Sequence, residues 1–451
     1  MTMSKPVQKP PFWYQFLLAL VLPLYRLRVW QRSRLQPDYQ DEVIERFAVK
    51  SVAKNQQRKH QPATNQLNRN QQVIWIHAVS VGETNAAQPV IEHFLKLGQP
   101  VLVTNTTRTG QARAKILFAQ NYPELFEAVF LPVDTTALME QFLQRYKPRL
   151  FILIETELWP NALAQTYDAG IPSMLLNARL SERSAKGYGK FSRLTRPMLE
   201  QLSCIAAQDQ ATAQRFIALG ADTKKVVVTG SIKFDTQPPE FLLEQAEQLK
   251  QQWQLAQRPV LVAASTHEPE EAQILAQFPK VLDQYPDVVL ILVPRHPERF
   301  DRVAELIEKQ DFQVFRRSQQ QKIEANTQVY LADSMGELWL WYALASMAFV
   351  GGSLSPTGGH NPLEPVRLGV PVVMGPHTFN FKVIVEQLMQ AHALTQVDNA
   401  EELMSVWLNW LQQPAQAQQA SIAGLQVMQA NQGALDRQLA LIQQLDTLPE
   451  R

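Results

Sequence analysis

The chain has 451 residues, of which 45% are hydrophobic and 19% charged, and its formal net charge is +1. This length exceeds the roughly 250–300 residues that one hydrophobic core supports, so we expect two domains. The balanced charge argues against a nucleic-acid-binding protein. The single cysteine, Cys204, excludes an intrachain disulfide and fits a reducing compartment, and its apolar surroundings predict a buried core residue.

The N-terminal segment differs from the rest, because residues 1–72 hold 12 Lys and Arg against 4 Asp and Glu. Residues 12–25 are apolar, but 14 helical residues reach only about 21 Å, short of the roughly 30 Å hydrocarbon core. Pro23 interrupts them, and no cleavage site follows. We therefore predict a shallow or single-pass membrane anchor over residues 1–35. Its arginines would lie on anionic headgroups at the cytoplasmic face: Arg26, Arg28, Arg32 and Arg34. A helix docked on the protein's own core is the alternative.

Residues 36–72 connect this anchor to the rest, and the Gln/Asn-rich stretch over 51–72 is interpreted as a mobile linker. Apolar runs typical of strands then alternate with helical patterns. The runs up to residue 235 are 73–79, 101–106, 128–133, 150–155, 173–178, 203–208 and 226–231. This alternation predicts a domain over 73–235, built on a parallel sheet with helices on both faces.

Paired prolines at 238 and 239 mark a break before a second series of apolar runs. These runs are 259–265, 288–294, 328–333, 347–352 and 371–375. The tail over 400–448 predicts two or three amphipathic helices, so a second domain is expected over 236–451. Both domains fit the Rossmann-like, doubly wound class. Ligands of such sheets lie beyond the carboxyl ends of the strands, which we expect to form an inter-domain cleft.

Three acidic residues follow strands of the first domain. Glu83 lies at the first strand-to-helix turn, where it either stabilises the helix N-terminus or acts as a base facing the cleft. Glu155 and Glu157 follow the run over 150–155, and residues two apart on an extended chain share one face. Acids beside an apolar run are costly unless they are paired or solvated, so we expect at least one to be functional.

Cationic candidates lie at the domain junction and in the second domain. Lys233 follows the last strand of the first domain, where it is either a surface charge or a functional one. Arg295 ends a strand and suits a bidentate grip on a phosphate or carboxylate, and an ion pair with Glu298 is the alternative. Residues 336–338 begin a helix directly after a strand, as an ordinary helix cap also would.

Six of the 17 glycines lie between Gly351 and Gly375. Within this glycine-dense run, Asn361, Pro362 and Glu364 have the order of an N-cap, a first helical residue and a capping acid. A glycine-flanked helix start after a strand offers N–H groups that suit a phosphate. A well-capped helix without a ligand is the alternative. The sequence has no Asp-x-Asp pair, Walker A motif or Cys/His cluster, so no metal site is predicted.

Nine segments in consistent order resemble the 3-deoxy-D-manno-octulosonic acid (Kdo) transferases of lipopolysaccharide synthesis. They are HAVSVGE (77–83), ETELWPN (155–161), NARLSERSAKGY (177–188), GSIKFD (230–235), STHEPEE (265–271), VPRHPERF (293–300), MGEL (335–338), GGHNPLEP (358–365) and MGPHTFNF (374–381). The likeness runs from about residue 30 to residue 431 and includes the hydrophobic N-terminus followed by arginines. The Gln/Asn-rich stretch departs from the pattern.

The resemblance implies a GT-B fold with an N-terminal acceptor domain and a C-terminal domain that binds CMP-Kdo. The implied reaction transfers Kdo to a lipid A precursor, lipid IVA, with inversion and without metal or cofactor, on the cytoplasmic face of the inner membrane. By resemblance, Glu83 is the general base, and Glu155 and Lys233 support the transition state. The CMP-binding positions it implies are Pro294, Arg295, Gly336, Glu337, Leu338, Asn361, Pro362, Leu363 and Glu364.

Some alternatives stay open at this point. Glu364 either binds ribose hydroxyls or caps a helix. A basic stretch either grips acceptor phosphates or forms plain surface charge: Arg183, Lys186, Lys190, Arg193 and Arg196. A UDP-sugar transferase of the same fold and a non-catalytic sugar-nucleotide-binding scaffold at the membrane are the competing functions. Glu83, Glu155 and Lys233 together argue against the scaffold.

Overall fold

The computed structural model describes residues 9–47, 67 and 72–446, so most of the predicted linker over 51–72 lies outside the described residues. The chain divides into two compact units. We call Met1–Ile232 with Gly433–Arg451 the N-terminal domain, and Lys233–Gln432 the C-terminal domain.

The N-terminal domain contains one parallel sheet covered by helices. Its strands are β1 (Val73–His77), β2 (Val101–Asn105), β3 (Phe126–Phe130), β4 (Pro148–Ile154), β5 (Ser173–Ala178), β6 (Cys204–Ala207) and β7 (Val226–Val228). Its helices are α1 (Phe12–Ser33), α2 (Tyr39–Phe47), α3 (Val81–Lys96), α4 (Arg108–Phe118), α5 (Thr136–Tyr146), α6 (Pro160–Asp168), α7 (Glu182–Gly189), α8 (Ser192–Gln201), α9 (Gln210–Ala218) and α19 (Ala434–Asp446). The strand order is β3-β2-β1-β4-β5-β6-β7, and all seven predicted strands are confirmed.

The apolar strand sequences follow from burial on both faces of the sheet. In β1, Ile74 and Ile76 point into one core, whereas Trp75 points into the core on the opposite face. All three side chains are fully buried, as expected for a parallel strand between two helix layers. Cys204 is also buried, which confirms its prediction as a core residue.

The C-terminal domain repeats this architecture. Its strands are β8 (Val260–Thr266), β9 (Val289–Pro294), β10 (Val314–Arg316), β11 (Val329–Leu331), β12 (Met347–Val350), β13 (Val372–Met374) and β14 (Leu394–Gln396). Its helices are α10 (Glu240–Gln252), α11 (Glu270–Gln277), α12 (Pro279–Leu282), α13 (Phe300–Lys309), α14 (Leu338–Leu344), α15 (Leu363–Arg367), α16 (Lys382–Gln390), α17 (Ala400–Gln412) and α18 (Pro414–Asn431). The order is β10-β11-β9-β8-β12-β13-β14. The five predicted strands are confirmed, while β10 and β14 were not predicted.

Each sheet has one point at which the direction of strand succession reverses. In the N-terminal domain this switch point lies between β1 and β4, and in the C-terminal domain it lies between β8 and β12. The connections that leave these paired strands run in opposite directions, so a crevice opens at their carboxyl ends. The residues that follow these four strands are therefore the candidates for a ligand-binding site.

The last helix differs from the predicted boundary, which placed all of 236–451 in the second domain. Ala434 and Ile442 of α19 are buried in the core that also covers β1. Gln438 accepts a hydrogen bond from the Asn177 backbone and donates to the Thr229 hydroxyl. An amphipathic pattern shows that a helix has a buried face, but not which sheet it covers.

Helix α1 lies against the N-terminal domain along one stripe, as the docking alternative anticipated. The Tyr14 hydroxyl donates to Asp134 at 2.8 Å, and Val29 and Ser33 are buried. The remaining surface of α1 exposes large apolar side chains, among them Phe12, Phe16, Leu20 and Leu24. Among the described residues, no helix combines the length and apolar character that crossing a membrane would require.

Candidate functional site

Glu83 lies in the first turn of α3, directly after the carboxyl end of β1. Its carboxylate accepts hydrogen bonds from the Val79 backbone N–H at 2.7 Å and from the Ser80 hydroxyl at 3.2 Å. The capping role is therefore real, because Ser80 is the N-cap of α3. Capping does not use the full hydrogen-bond acceptor capacity of the Glu83 carboxylate. Burial raises the pKa of Glu83 to about 7, opposed by the Val79 N–H and reinforced by Glu157 and Glu155. Such a group can accept a proton near neutral pH.

Glu155 and Glu157 follow β4, the strand beside β1 at the switch point. The expectation that both lie on one face of an extended chain is wrong, because Glu155 has a φ of 62° and β4 ends at Ile154. A left-handed conformation at a residue other than glycine is strained, and at Glu155 it turns the chain out of the extended geometry of the strand. Burial raises the pKa of Glu157, and the charge of Glu155 adds to this effect. The three carboxylates thus share one electrostatic environment.

The loop that carries Glu83 rests on the residues after β2, which the sequence reasoning missed. Asn105 Nδ2 donates to the Ala78 carbonyl at 2.6 Å, and the Thr107 backbone and hydroxyl both donate to the Val79 carbonyl. A β-carbon on Gly110 would lie 3.1 Å from that same Val79 oxygen. The signal was present in the polar run Asn-Thr-Thr-Arg-Thr-Gly (105–110), which directly follows a buried strand.

In the C-terminal domain, the first part of the glycine-dense run does not form a phosphate cradle. The backbone N–H groups of residues 352–355 all donate to the Glu270 carboxylate at distances of 2.8–3.2 Å. The His267 N–H adds a fifth hydrogen bond at 2.9 Å. Glu270 is fully buried, so these donors are occupied by an anion of the chain itself. The N–H groups of residues 352–355 are therefore not available to a ligand.

In the second part of the run, α15 has Pro362 rather than Asn361 as its N-cap, and the Asn361 side chain lies beside the helix start. Its Oδ1 accepts from the Leu363 N–H at 3.1 Å, and its Nδ2 donates to Glu364 at 3.2 Å. Helix α15 has only five residues, so it contributes less dipole than predicted. Pro362 and Leu363 are buried. Burial raises the pKa of Glu364 to about 7, against the opposing effects of Asn361 and Arg295.

Pro294 ends β9 and Arg295 follows it, with an exposed side chain. The predicted alternative partner of Arg295, Glu298, lies instead 3.8 Å from His296. Among the residues that the structure describes, no ion pair within 4.0 Å engages the Arg295 guanidinium. This cation is therefore available to an anionic ligand.

The remaining predicted residues have identifiable neighbours within the C-terminal domain. Glu337 forms two hydrogen bonds with Arg317, at 2.7 and 3.1 Å, and also accepts one from Ser334. Gly336 has a φ of 84°, which favours glycine, and Leu338 begins α14. Lys233 lies 5.6 Å from the centre of the Phe381 ring. Arg317 was not predicted, because nothing in its local sequence indicates its pairing with Glu337.

Comparison with known proteins identifies the family. The profile described as 3-deoxy-D-manno-octulosonic-acid transferase (kdotransferase) matches residues 45–236. A protein of Haemophilus influenzae named 3-deoxy-D-manno-octulosonic acid transferase is 38% identical over 435 residues, which cover 96% of this chain and 97% of that protein. The chain belongs to the Kdo transferase family. It is therefore a glycosyltransferase of lipopolysaccharide biosynthesis.

Two further likenesses agree with this assignment. A Bordetella pertussis Kdo transferase is 37% identical over 373 residues, covering 81% of this chain and 86% of that protein. The crystal structure of a glycosyltransferase from Rickettsia africae has a TM-score of 0.54 at 14% identity, covering 84% of this chain and all of that one. At that identity the likeness shows the fold alone, namely the two parallel-sheet α/β domains of GT-B glycosyltransferases.

In this Kdo transferase each domain brings together a part of the predicted site. Glu83 and Glu155 meet at the switch point of the N-terminal domain. Arg295 and Glu364 lie within electrostatic range of each other in the C-terminal domain. Two histidines that the sequence reasoning passed over also lie there, since His267 follows β8 and His360 follows β12. Both stand in segments that carry the family resemblance.

Proposed function

We propose that this enzyme takes Kdo from CMP-Kdo and transfers it to a lipid A precursor, lipid IVA, with inversion and without metal. The observation that carries the proposal is Glu83, a half-buried carboxyl whose pKa is raised to about 7 by desolvation and by the charges of Glu157 and Glu155. A base with such a pKa is suited to removing a proton from a sugar hydroxyl at neutral pH. Its place at a switch point is where a sugar acceptor would bind.

In the proposed reaction, Glu83 accepts the proton of the attacking hydroxyl. The hydroxyl oxygen then forms a bond to the ketosidic carbon of Kdo from the face opposite CMP. The bond from that carbon to the phosphate oxygen breaks, and CMP leaves with the electron pair, so the configuration inverts. The transition state resembles an oxocarbenium ion. Arg295 and Lys233 offset the negative charge that develops on the departing phosphate.

The proposed acceptor is a lipid, and the surface of the N-terminal domain supports this. Helix α1 exposes Phe12, Phe16, Leu20 and Leu24 at 83, 57, 57 and 66%. Isolated exposed apolar residues are common, but a continuous apolar helix face marks a membrane or protein interface. The arginines that follow would meet anionic lipid headgroups at the cytoplasmic face of the inner membrane.

A basic pocket adjoins this apolar face. Trp13 of α1 contacts Phe191, with ring centres 5.9 Å apart. Phe191 lies between α7 and α8, close in sequence to an open pocket of about 550 Å³. Its lining residues carry a net positive charge, although Glu182 pairs with Lys186 at 3.0 Å: Glu182, Arg183, Lys186, Gly187 and Lys190. A lipid that carries phosphates on its sugars would find apolar surface and positive charge side by side here. We assign this pocket to the acceptor phosphates.

The test is transfer by the purified full-length protein supplied with CMP-Kdo and a tetra-acylated lipid A precursor. We expect product from the wild type and a loss of about 10²–10⁴-fold in rate for Glu83→Gln. Glu92→Gln is the matched control, because Glu92 lies on the same helix and its carboxylate contacts Gln88 and Lys96. Failure of the wild type to transfer Kdo would refute the function. Undiminished transfer by Glu83→Gln would refute the base assignment alone.

The competing UDP-sugar transferase is distinguished by ligand-induced stabilisation. A ligand that binds only the folded state raises the melting temperature. We expect CMP to raise it and UDP to leave it unchanged. Stabilisation by UDP and not by CMP would favour the competing function.

A further inference from the structure

Two imidazoles meet at the switch point of the C-terminal domain. His267 follows β8, and His360 follows β12 after the glycine-dense run. Their Nε2 atoms are 2.8 Å apart, and the ring planes differ by only 7°. Since β8 and β12 are the strands between which a doubly wound sheet binds its ligand, this pair lies where a donor nucleotide is expected.

The short contact fixes how many protons the pair can hold. A distance of 2.8 Å between two ring nitrogens requires one N–H donor and one lone pair. The neutral pair therefore consists of complementary tautomers. One added proton makes an imidazolium that donates to a neutral imidazole, which is a stronger hydrogen bond. A second proton would turn two N–H groups towards each other and break the contact. The pair can thus carry a single positive charge.

The acidic groups described near the pair are engaged by other partners, whereas several cationic or basic groups face it. Cationic or basic groups approach from the end of β9 and the turn after it: Arg295, His296 and Arg299. The acidic groups nearby are already engaged, since Glu270 accepts five backbone N–H groups and Glu271 pairs with Arg299. Glu364 accepts a hydrogen bond from Asn361 on the other side.

This environment keeps the free pair uncharged. Burial lowers the pKa of His360 to about 3, and Arg295 reinforces the effect. Burial also lowers the pKa of His267, with His296, Arg299 and Arg295 acting in the same direction and Glu271 opposing. A bound anion would reverse these effects, because it would repay the desolvation of an imidazolium and offset the charge of Arg295.

We propose that the His267–His360 pair and Arg295 together bind the phosphate of CMP, and that the pair takes up one proton as the phosphate binds. The inference rests on the proposed function, which supplies CMP as the ligand. No bond is made or broken other than the proton's, which comes from solvent and returns there when CMP leaves. Arg295 supplies the permanent charge, while the pair supplies a charge that exists only in the complex.

The sign of the pH dependence follows from this linkage. The bound state holds more protons than the free state, so CMP affinity rises as the pH falls. The rise is confined to the range between the pKa of the pair in the complex and its lower pKa in the free protein. Within that range the dissociation constant falls by up to about tenfold per pH unit for one linked proton.

The experiment is calorimetric titration of CMP into the full-length protein at pH 7.5, in several buffers of different ionisation enthalpy. The dependence of the observed enthalpy on the buffer gives the number of protons taken up. CMP itself contributes little at this pH, because the second pKa of a phosphate monoester is about 6. We expect measurable proton uptake by the wild type, increasing towards one proton as the pH is lowered to 7.0.

Variants of the pair provide the decisive comparison. His267→Asn and His360→Asn should each abolish the uptake and weaken CMP binding by about tenfold, as expected for a lost hydrogen bond to a charged group. The double variant should bind CMP within about twofold of the affinity of either single variant. Both rings are needed to hold the one proton, so losing the second ring adds little to losing the first. His392→Asn is the control, since that histidine is exposed after α16, and it should behave like the wild type.

The possible outcomes distinguish the proton-uptake inference from the proposed CMP site. CMP binding by the wild type without proton uptake would overturn the inference and leave the donor site standing. Uptake that persists in both single variants would also overturn it. If CMP fails to bind at every pH, the proposed donor site fails and the inference fails with it. The wild-type proton count decides the matter even if a variant does not fold.

Discussion

Glu270→Gln removes the charge around which the first part of the glycine-dense run is built. One carboxylate oxygen accepts from the backbone N–H groups of His267 and Gly352, at 2.9 and 2.8 Å. The other oxygen accepts from Ser353, Leu354 and Ser355, at 3.0, 2.9 and 3.2 Å. Glutamine has a nearly identical shape but only one oxygen. At least two buried N–H groups must therefore face an NH₂ group, which is itself a donor.

The magnitude follows from the number of hydrogen bonds lost. A hydrogen bond to a charged partner contributes about 1.5–3 kcal/mol, so two of them give about 3–6 kcal/mol. Glu270 is fully buried, and water cannot replace the missing acceptor. The expected loss is a large part of the 5–15 kcal/mol that typically stabilises a domain.

The assay is urea denaturation of the full-length protein, with amide hydrogen exchange in β8 and β12 to report on the C-terminal domain alone. Two domains need not unfold together, so a single transition cannot be assumed. Glu268→Gln is the matched control. Glu268 lies two residues before Glu270, and its carboxylate forms an exposed ion pair with Arg302. We expect the control to change stability by less than about 1 kcal/mol. Equal stability of Glu270→Gln and Glu268→Gln would refute the reasoning.

Three further predictions concern activity. The transfer rate should fall as the pH drops below about 7, the pKa of the Glu83 carboxyl, because a protonated base cannot accept a proton. Rate measurements from pH 5.5 to 8.5 should show this loss, and a flat profile would contradict it. Gly110→Ala should lower kcat by about tenfold with little change in KM, because the new methyl group would lie 2.9 Å from Thr107 Oγ1 and 3.1 Å from the Val79 oxygen and so displace the turn before Glu83. Unchanged kcat would contradict the positioning role. Arg317→Lys should weaken CMP binding in calorimetry by about tenfold, because lysine cannot form the double hydrogen bond that orients Glu337; wild-type affinity would contradict it.

The strands were largely predictable, and the errors have local causes. Strand β3 was predicted over 128–133 but ends at Phe130, because Pro132 has no N–H to continue the ladder. Strands β10 and β14 have three residues each and lie at the two edges of their sheet. An edge strand this short carries no apolar run that would distinguish it from a loop.

The candidate site was predictable where chemistry is local and unpredictable where it depends on distant residues. Glu83 and Arg295 follow apolar strands, so topology alone brings them to the carboxyl edge of their sheets. Glu270 lies more than 80 residues from four of the five N–H groups it binds, and no local pattern indicates that pairing. The glycines suggested that backbone N–H groups in this run bind an anion. They did not show that the anion belongs to the chain itself.

Glu270 and the histidine pair are connected through the backbone. The carboxylate holds the His267 N–H directly, and it holds Gly352, whose carbonyl accepts from the Gly359 N–H at 2.7 Å. The neighbouring His360 N–H donates to the Gly351 carbonyl at 3.2 Å. Both imidazoles are therefore attached to segments that one buried carboxylate fixes, although neither ring touches it. The Glu270 carboxylate thus holds the backbone segments that carry His267 and His360. The two rings between which the added proton is shared are positioned by those segments.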